Sequence, residues 1–399
     1  MFGCIFSMQR SSASVVRRTL VCNIELFVLL PIASPPNHRP DNIDMRHREK
    51  SSGDAATAMA SNIATAPAGD KTGEARGLIR IAVLDDYQLA ASRFADWSPV
   101  LREADVHFFS DHLADTGQLI ERLRSFDAVC LMRERSSLPK ELIDALPRLK
   151  FISTTGSSNA ALDLEHARRR GIVVSGTNSK GHGTPELIWT LLLALARNIP
   201  GQMDALRQGH WQTDIGADLN GRTLGIIGLG RVGSQIARIG KAFNMNIVVW
   251  SPNMTPERAA EHGAESVSKS ALFSTADFIV VCIQLRPITV NLIGAAEIAL
   301  MKSSAFLINT ARGEIVDDAA LIEALTERRI AGAGLDAFCT EPLPPGHPYR
   351  HMKNVIATPH IGYVTAAGYR QFFEDTVANI MAWLHGSPIR EVTRHVVKR

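Results

Sequence analysis

Short apolar runs bounded by polar clusters recur along most of the chain, alternating with longer stretches in which apolar residues repeat at helical spacing. Leu78-Ile79-Arg80-Ile81-Ala82-Val83-Leu84 ends in Asp85-Asp86, the pattern of a buried strand that delivers polar groups at its carboxyl end. Ala128 to Met132, Lys150 to Ser153 and Gly171 to Val174 predict further strands, and the series closes before a Gly-rich segment from Gly176 to Gly183. Pro185 to Arg197 predicts a long apolar helix that Ile199-Pro200 stops. Past Trp211 a second series runs through Thr223–Ile227, Asn246–Trp250, Phe278, Ala305–Ile308, Gly334 and Val355–Ala357, and Ala366 to Leu384 has the apolar spacing of one helix.

Strands alternating with helices point to parallel sheets covered on both faces. The expected fold class is α/β: two doubly wound parallel-sheet domains, with a Rossmann cofactor domain inserted into a flavodoxin-like substrate domain to which the last helix returns. The expected boundaries are residues 78–176 and 365–399 for the substrate domain and 177–364 for the NAD-binding domain. Residues 1–77 are rich in Ser, Ala, Pro and Arg and have no sustained period, so they are expected to be a disordered or targeting-like extension. Arg17-Arg18 precedes an apolar run, but Asn23 and Glu25 interrupt it, short of the ~20 apolar residues of a membrane helix, and Met45 and Met59 are alternative starts.

Lys and Arg number 43 against 40 Asp and Glu, a formal charge of +3, which provides no basic field for nucleic acid. The five scattered cysteines have neither disulfide-framework nor zinc spacing, and they read as reduced and cytoplasmic. No metal, membrane or nucleic-acid partner is expected. A small molecule is.

The predicted strand Thr223–Ile227 runs into Gly228-Leu229-Gly230-Arg231-Val232-Gly233, after which a helix begins. In that setting Gly228 permits a tight turn, Gly230 admits a pyrophosphate against the backbone, and Gly233 allows close packing of helix on strand. The anion would rest on the helix N-terminus. After the next strand the position of the usual ribose-binding carboxylate is held by Ser251. A 2′-phosphate is then neither repelled nor attracted, so NAD is expected as cofactor with NADP not excluded.

Arg312 follows one apolar run, Asp336 and Glu341 a second, and His360 a third. Strand ends of this kind converge on the ligand crevice of an open α/β sheet. The planar fork of Arg312 suits a substrate carboxylate and the adjacent keto oxygen. Reduction of a keto carbon leaves an alkoxide that needs a proton, for which His360 is the suitable donor, and a neighbouring Glu341 would stabilise the imidazolium.

From about Ile79 to Ile389 the chain resembles the D-isomer-specific 2-hydroxyacid dehydrogenases, on the strength of the glycine motif, Asn309-Thr310-Ala311-Arg312-Gly313, Gly334-Leu335-Asp336 with Glu341-Pro342-Leu343-Pro344, and Thr358-Pro359-His360-Ile361-Gly362. The resemblance implies interconversion of a small 2-keto acid and its D-2-hydroxy acid, with Arg312 binding substrate, Glu341 supporting His360 as acid/base, Asp336 touching the nicotinamide carboxamide, and a homodimer joined through the cofactor domain. It also implies that Gly156, Ser157 and Ser158 face the substrate carboxylate, although Ser158 replaces a glycine usual in the family. Cys282 and Gln284 stand where a His and a Pro are common. The loop also lacks the nearby Arg often seen in phosphoglycerate dehydrogenases, and no regulatory domain follows the catalytic unit, so a phosphorylated substrate is less expected; Arg133 and Arg135 are the nearest candidates for an extra anion contact. Two alternatives remain on the sequence: a formate-type dehydrogenase, which pairs its His with Gln rather than Glu, and a non-enzymatic dinucleotide-sensing protein of the co-repressor type.

Because the extension lacks any core-forming pattern, a chain beginning at Met59 is expected to fold and turn over normally. Loss of soluble protein on that truncation would refute this.

Overall fold

The computed structural model describes residues 78–393, all within the unit Glu74–Arg399. The expectation for residues 1–77 lies outside the described residues.

Two parallel sheets form as the pattern predicts. The first orders β1 (Ile79–Val83), β2 (Ala104–Phe108), β3 (Ala128–Leu131), β4 (Phe151–Thr154) and β5 (Val173–Ser175) as β2-β1-β3-β4-β5. The second contains β6 (Thr223–Ile227), β7 (Asn246–Trp250), β8 (Glu265–Ser266), β9 (Phe278–Val281), β10 (Phe306–Asn309), β11 (Gly332–Leu335) and β12 (Val355–Ala357), ordered β12-β11-β10-β9-β6-β7-β8. Its pairings are all parallel. Central strands such as β3, β4 and β9 are buried throughout, which is why they read as continuous apolar runs. In the second sheet the order reverses between β6 and β9, and the crevice at such a switch point, outside the carboxyl ends, is where these sheets take ligands.

The helix after the first sheet differs from expectation. Helix α1 (Gly183–Ala196) ends, Asn198 takes a left-handed conformation with φ 44°, and Pro200 lies in the first turn of a new helix, α2 (Ile199–Arg207). A first-turn N–H has no intrahelical partner, so proline starts this helix without loss. Helix α3 (Arg231–Ala242) follows the glycine motif.

The last helix, α4 (Ala366–Leu384), packs on the first sheet. Phe372, Phe373 and Ile380 share a core with Ile81, Val83 and Phe151, and Trp383 stacks on Phe151 with ring centroids 4.8 Å apart. Its polar side also reaches the segment that leaves the first sheet: Asp375 accepts the Asn178 N–H at 2.8 Å, and Asn379 donates to the Gly176 carbonyl at 2.8 Å. The two chain crossings between the sheets touch at Gly183, where a Cβ would come within 2.7 Å of the Gly362 carbonyl. Close approach there requires glycine.

Phe372 is 2% exposed, so Phe372→Ala should destabilise the fold by about 3–5 kcal/mol. Urea unfolding checks this: an unchanged midpoint would show that α4 is not integral to the first-sheet core.

Candidate active site

Gly228 has φ +96°, and a Cβ there would meet the Cys282 backbone at 3.0 Å. At Gly233 a Cβ would stand 2.1 Å from the Gly228 carbonyl, whereas nothing lies within 4 Å of one at Gly230. Gly228 and Gly233 are thus demanded by packing, and Gly230 leaves an open cradle over the N-terminus of α3. A pyrophosphate fits this space, with Arg231 and Val232 opening the helix. The exposed Arg231 guanidinium lies beside Gly181, where a Cβ would be 2.8 Å from it. The Gly228 N–H donates to the Trp250 carbonyl at 2.9 Å, which puts Ser251 next to the glycine turn. Lys269 lies over the Trp250 ring, but its ammonium is taken by Glu297 at 2.9 Å and the Leu292 carbonyl at 2.6 Å. Cys282 packs beneath the turn, and burial pushes its thiol up to about 12.

Past β10 the buried Asn309 side chain splints the turn, accepting from the Ala311 N–H at 3.0 Å and donating to the Arg312 carbonyl at 2.8 Å. A Cβ at Gly313 would come 2.1 Å from the Phe338 backbone, so the loops after β10 and β11 nest together. From the second of them Glu341 accepts the Phe338 N–H at 2.9 Å through Oε1 and meets His360 Nδ1 at 2.7 Å through Oε2. Both side chains remain partly accessible, 21% for His360 and 33% for Glu341. A carboxylate on Nδ1 fixes the ring and leaves Nε2 to exchange a proton with a ligand.

His360 has φ +53°, an uncommon conformation for a non-glycine residue, which costs about 1–3 kcal/mol and needs support from its surroundings. Asp336 supplies that support. Its carboxylate, in a residue only 1% exposed, accepts from the Thr358 hydroxyl at 2.6 Å and from the Ile361 and Gly362 N–H groups at 2.8 Å each. Burial pushes the Asp336 carboxyl above the ordinary range, although all three donors oppose the rise. Its oxygens thus serve the His360 loop from within.

A cavity of about 780 Å³ opens beside His360 and Glu341, a volume suited to a small organic ligand. The first sheet contributes Tyr87, Arg133 and Glu134, and the second Phe338, Leu343 and Tyr349. Arg312 Nη2 lies 3.0 Å from Glu134 Oε1 across the junction. Arg133 adjoins the loop after β4, donating to the Thr155 carbonyl at 3.2 Å, and its guanidinium fills the space a Cβ at Gly156 would need. Ser157 and Ser158 follow in that loop; neither they, Gly156 nor Arg312 is among the residues lining this cavity, and Arg312 reaches it through Glu134. Arg135 is engaged structurally by the Asp85 carbonyl at 2.6 Å and the Tyr369 hydroxyl at 3.3 Å.

Glu134 was not singled out by the sequence, and Asn309 appeared only as part of the motif around Arg312, with no role of its own. The signal for Glu134 was its place between two arginines at a strand end, a pattern shared with ordinary solvated loops.

Asp336→Ala would leave two backbone donors without an acceptor, each worth about 1–3 kcal/mol when buried. The variant should lose several degrees in Tm and most of its turnover while retaining dinucleotide binding; unaltered turnover would show that the His360 loop holds itself.

Residues 81–185 match the catalytic domain, and residues 189–362 the NAD binding domain, of the D-isomer specific 2-hydroxyacid dehydrogenases. The chain is 38% identical over 292 residues to a glyoxylate reductase of Thermococcus gammatolerans, an alignment covering 70% of this chain and 86% of the relative. It is 39% identical over 252 residues to a D-3-phosphoglycerate dehydrogenase of Methanocaldococcus jannaschii, covering 62% of this chain and 48% of the relative. A solved phosphoglycerate oxidoreductase from Vibrio cholerae superposes with a TM-score of 0.73 at 34% identity, over 77% of this chain and 99% of the other. These matches do not favour the non-enzymatic reading. The chain belongs to the D-isomer-specific 2-hydroxyacid dehydrogenases and is an NAD-dependent oxidoreductase that interconverts a small 2-keto acid and the corresponding D-2-hydroxy acid.

Proposed function

We propose that the enzyme reduces a short 2-keto acid of the glyoxylate class with Arg312, Glu341 and His360 as its catalytic set. The observation that carries this is the His360 Nδ1 to Glu341 Oε2 contact at 2.7 Å, on loops adjacent to the one bearing Arg312. Bound NADH supplies a hydride to the keto carbon. Arg312 holds the substrate carboxylate and polarises the carbonyl, while His360 Nε2 delivers a proton to the oxygen as it gains charge. Glu341 stabilises the imidazolium and orients its ring. The loop of Gly156, Ser157 and Ser158 lies on the substrate side, where the Gly156 N–H is taken by the Thr177 hydroxyl at 2.8 Å and Ser157 and Ser158 are left to face the substrate carboxylate, and Gly228, Gly230, Arg231, Val232, Gly233 and Ser251 hold the dinucleotide. Asp336, expected to touch the nicotinamide carboxamide, instead gives both carboxylate oxygens to Thr358, Ile361 and Gly362 and acts by holding the His360 loop.

In this reading residues 78–176 and 365–399 are the substrate domain and 177–364 the cofactor domain. A homodimer joined through the cofactor domain is supported by exposed apolar residues at and beyond α2: Leu206 is 59%, Trp211 75% and Ile215 95% exposed. A cytoplasmic location is supported by the free cysteines Cys130, Cys282 and Cys339. Among the described residues no helix is long and apolar enough to cross a membrane.

Reduction of glyoxylate, pyruvate, hydroxypyruvate and phenylpyruvate, assayed with NADH and NADPH separately, tests the assignment. His360→Ala should lose at least ~100-fold in kcat/KM without weakening NADH binding. Arg312→Ala should both raise KM and lower kcat. Glu341→Gln, which keeps the shape but removes the carboxylate that orients the His360 ring, should lower kcat on keto acids by about 10-fold or more while leaving NADH binding unchanged. An unaltered kcat would show that Glu341 plays no part in the proton transfer.

Ser251→Asp should shift coenzyme preference further toward NADH, because a carboxylate at the ribose repels a 2′-phosphate. An unmoved NADH to NADPH efficiency ratio would mean that Ser251 does not face the ribose.

A further inference from the structure

We propose that Glu134 is a specificity-determining residue that restricts the site to 2-keto acids carrying a single negative charge. The inference rests on the assignment of Arg312 as the anchor of the substrate carboxylate. Glu134 lies past β3 and lines the same cavity as His360, with its side chain 17% exposed. One carboxylate oxygen pairs with Arg312 Nη2 at 3.0 Å, and the other stands 3.6 Å from Arg133 Nε without a hydrogen bond. Burial disfavours its charge, but Arg133, Arg312 and His360 outweigh burial and hold the carboxyl below the ordinary range. Glu134 is therefore an anion at neutral pH.

The local charges then have a simple balance. Arg133 and Arg312 face one carboxylate, and His360 is answered by Glu341. Arg135 also lines the cavity, but its guanidinium is held by the Asp85 carbonyl and the Tyr369 hydroxyl and lies 4.3 Å over the Tyr87 ring. Within the Arg133, Glu134 and Arg312 cluster, one guanidinium charge is left to be met, which a single substrate carboxylate does. A second anionic group on the substrate, such as a phosphate ester or another carboxylate, would share the cavity with Glu134, where low exposure weakens screening of like charges. A neutral substituent meets no such penalty. Glu134 thereby separates the glyoxylate type of substrate from the phosphorylated type.

The test is kcat/KM with NADH for glyoxylate, hydroxypyruvate, oxaloacetate and phosphohydroxypyruvate, measured for wild type, Glu134→Gln and Glu134→Ala. Wild type should favour the monoanions by at least ~10-fold, and each variant should raise the ratio of oxaloacetate or phosphohydroxypyruvate to glyoxylate efficiency by about 10-fold, equivalent to ~1.4 kcal/mol. If Glu134 merely held Arg312 in place, efficiencies on all four substrates would fall together; an unmoved ratio in an active enzyme overturns this inference alone. Wild-type preference for a doubly charged substrate overturns it too, and does so without any variant having to fold. A wild type inert on every keto acid would overturn the catalytic assignment and this inference with it.

Discussion

The site depends on one buried carboxylate. Asp336, at the end of β11, accepts three hydrogen bonds from the loop that follows β12, and so keeps His360 in a backbone conformation that an L-residue seldom adopts. That loop is also a crossing between the two sheets. Gly362, whose N–H Asp336 receives, packs against Thr184 and Gly183 at the head of α1. His360, the proposed acid/base, is therefore fixed at the joint between the two sheets.

Much of this could be read from the sequence because the relevant signals were local. A strand, the run Gly228 to Gly233 and a helix are contiguous; packing requires Gly228 and Gly233, and Gly230 leaves space for a ligand. Arg312, Glu341 and His360 each follow a strand of one parallel sheet, so topology alone brings their loops to one edge. Signals that depend on tertiary context were not legible. Strand β2 has burial on only one of its five residues, and its sequence Ala-Asp-Val-His-Phe lacks a sustained apolar run. Pro200 stops or starts a helix according to where the preceding turn breaks, and the left-handed Asn198 decides that. Glu134 gains its meaning from Arg312, 178 positions away in the chain, and no local pattern announces the pair.

The arrangement divides its labour by charge. Glu341 meets the His360 imidazole, Glu134 meets the Arg312 guanidinium, and Asp336 meets backbone N–H groups. Each carboxylate is distinguished from the others by what its oxygens touch rather than by residue type. Membership of the family accounts for the chemistry, and the proposed role of Glu134 would let the balance of Arg133, Glu134 and Arg312 set the substrate preference.

The central claim is that a keto acid binds with its carboxylate on Arg312 and its reacting oxygen on His360. A crystal structure of the enzyme with NAD and oxamate, an unreactive mimic of a short 2-keto acid, tests it most directly. The account predicts the oxamate carboxylate within hydrogen-bonding distance of the Arg312 guanidinium and the amide carbonyl oxygen within hydrogen-bonding distance of His360 Nε2. Oxamate bound elsewhere, with neither residue touching it, would contradict the account.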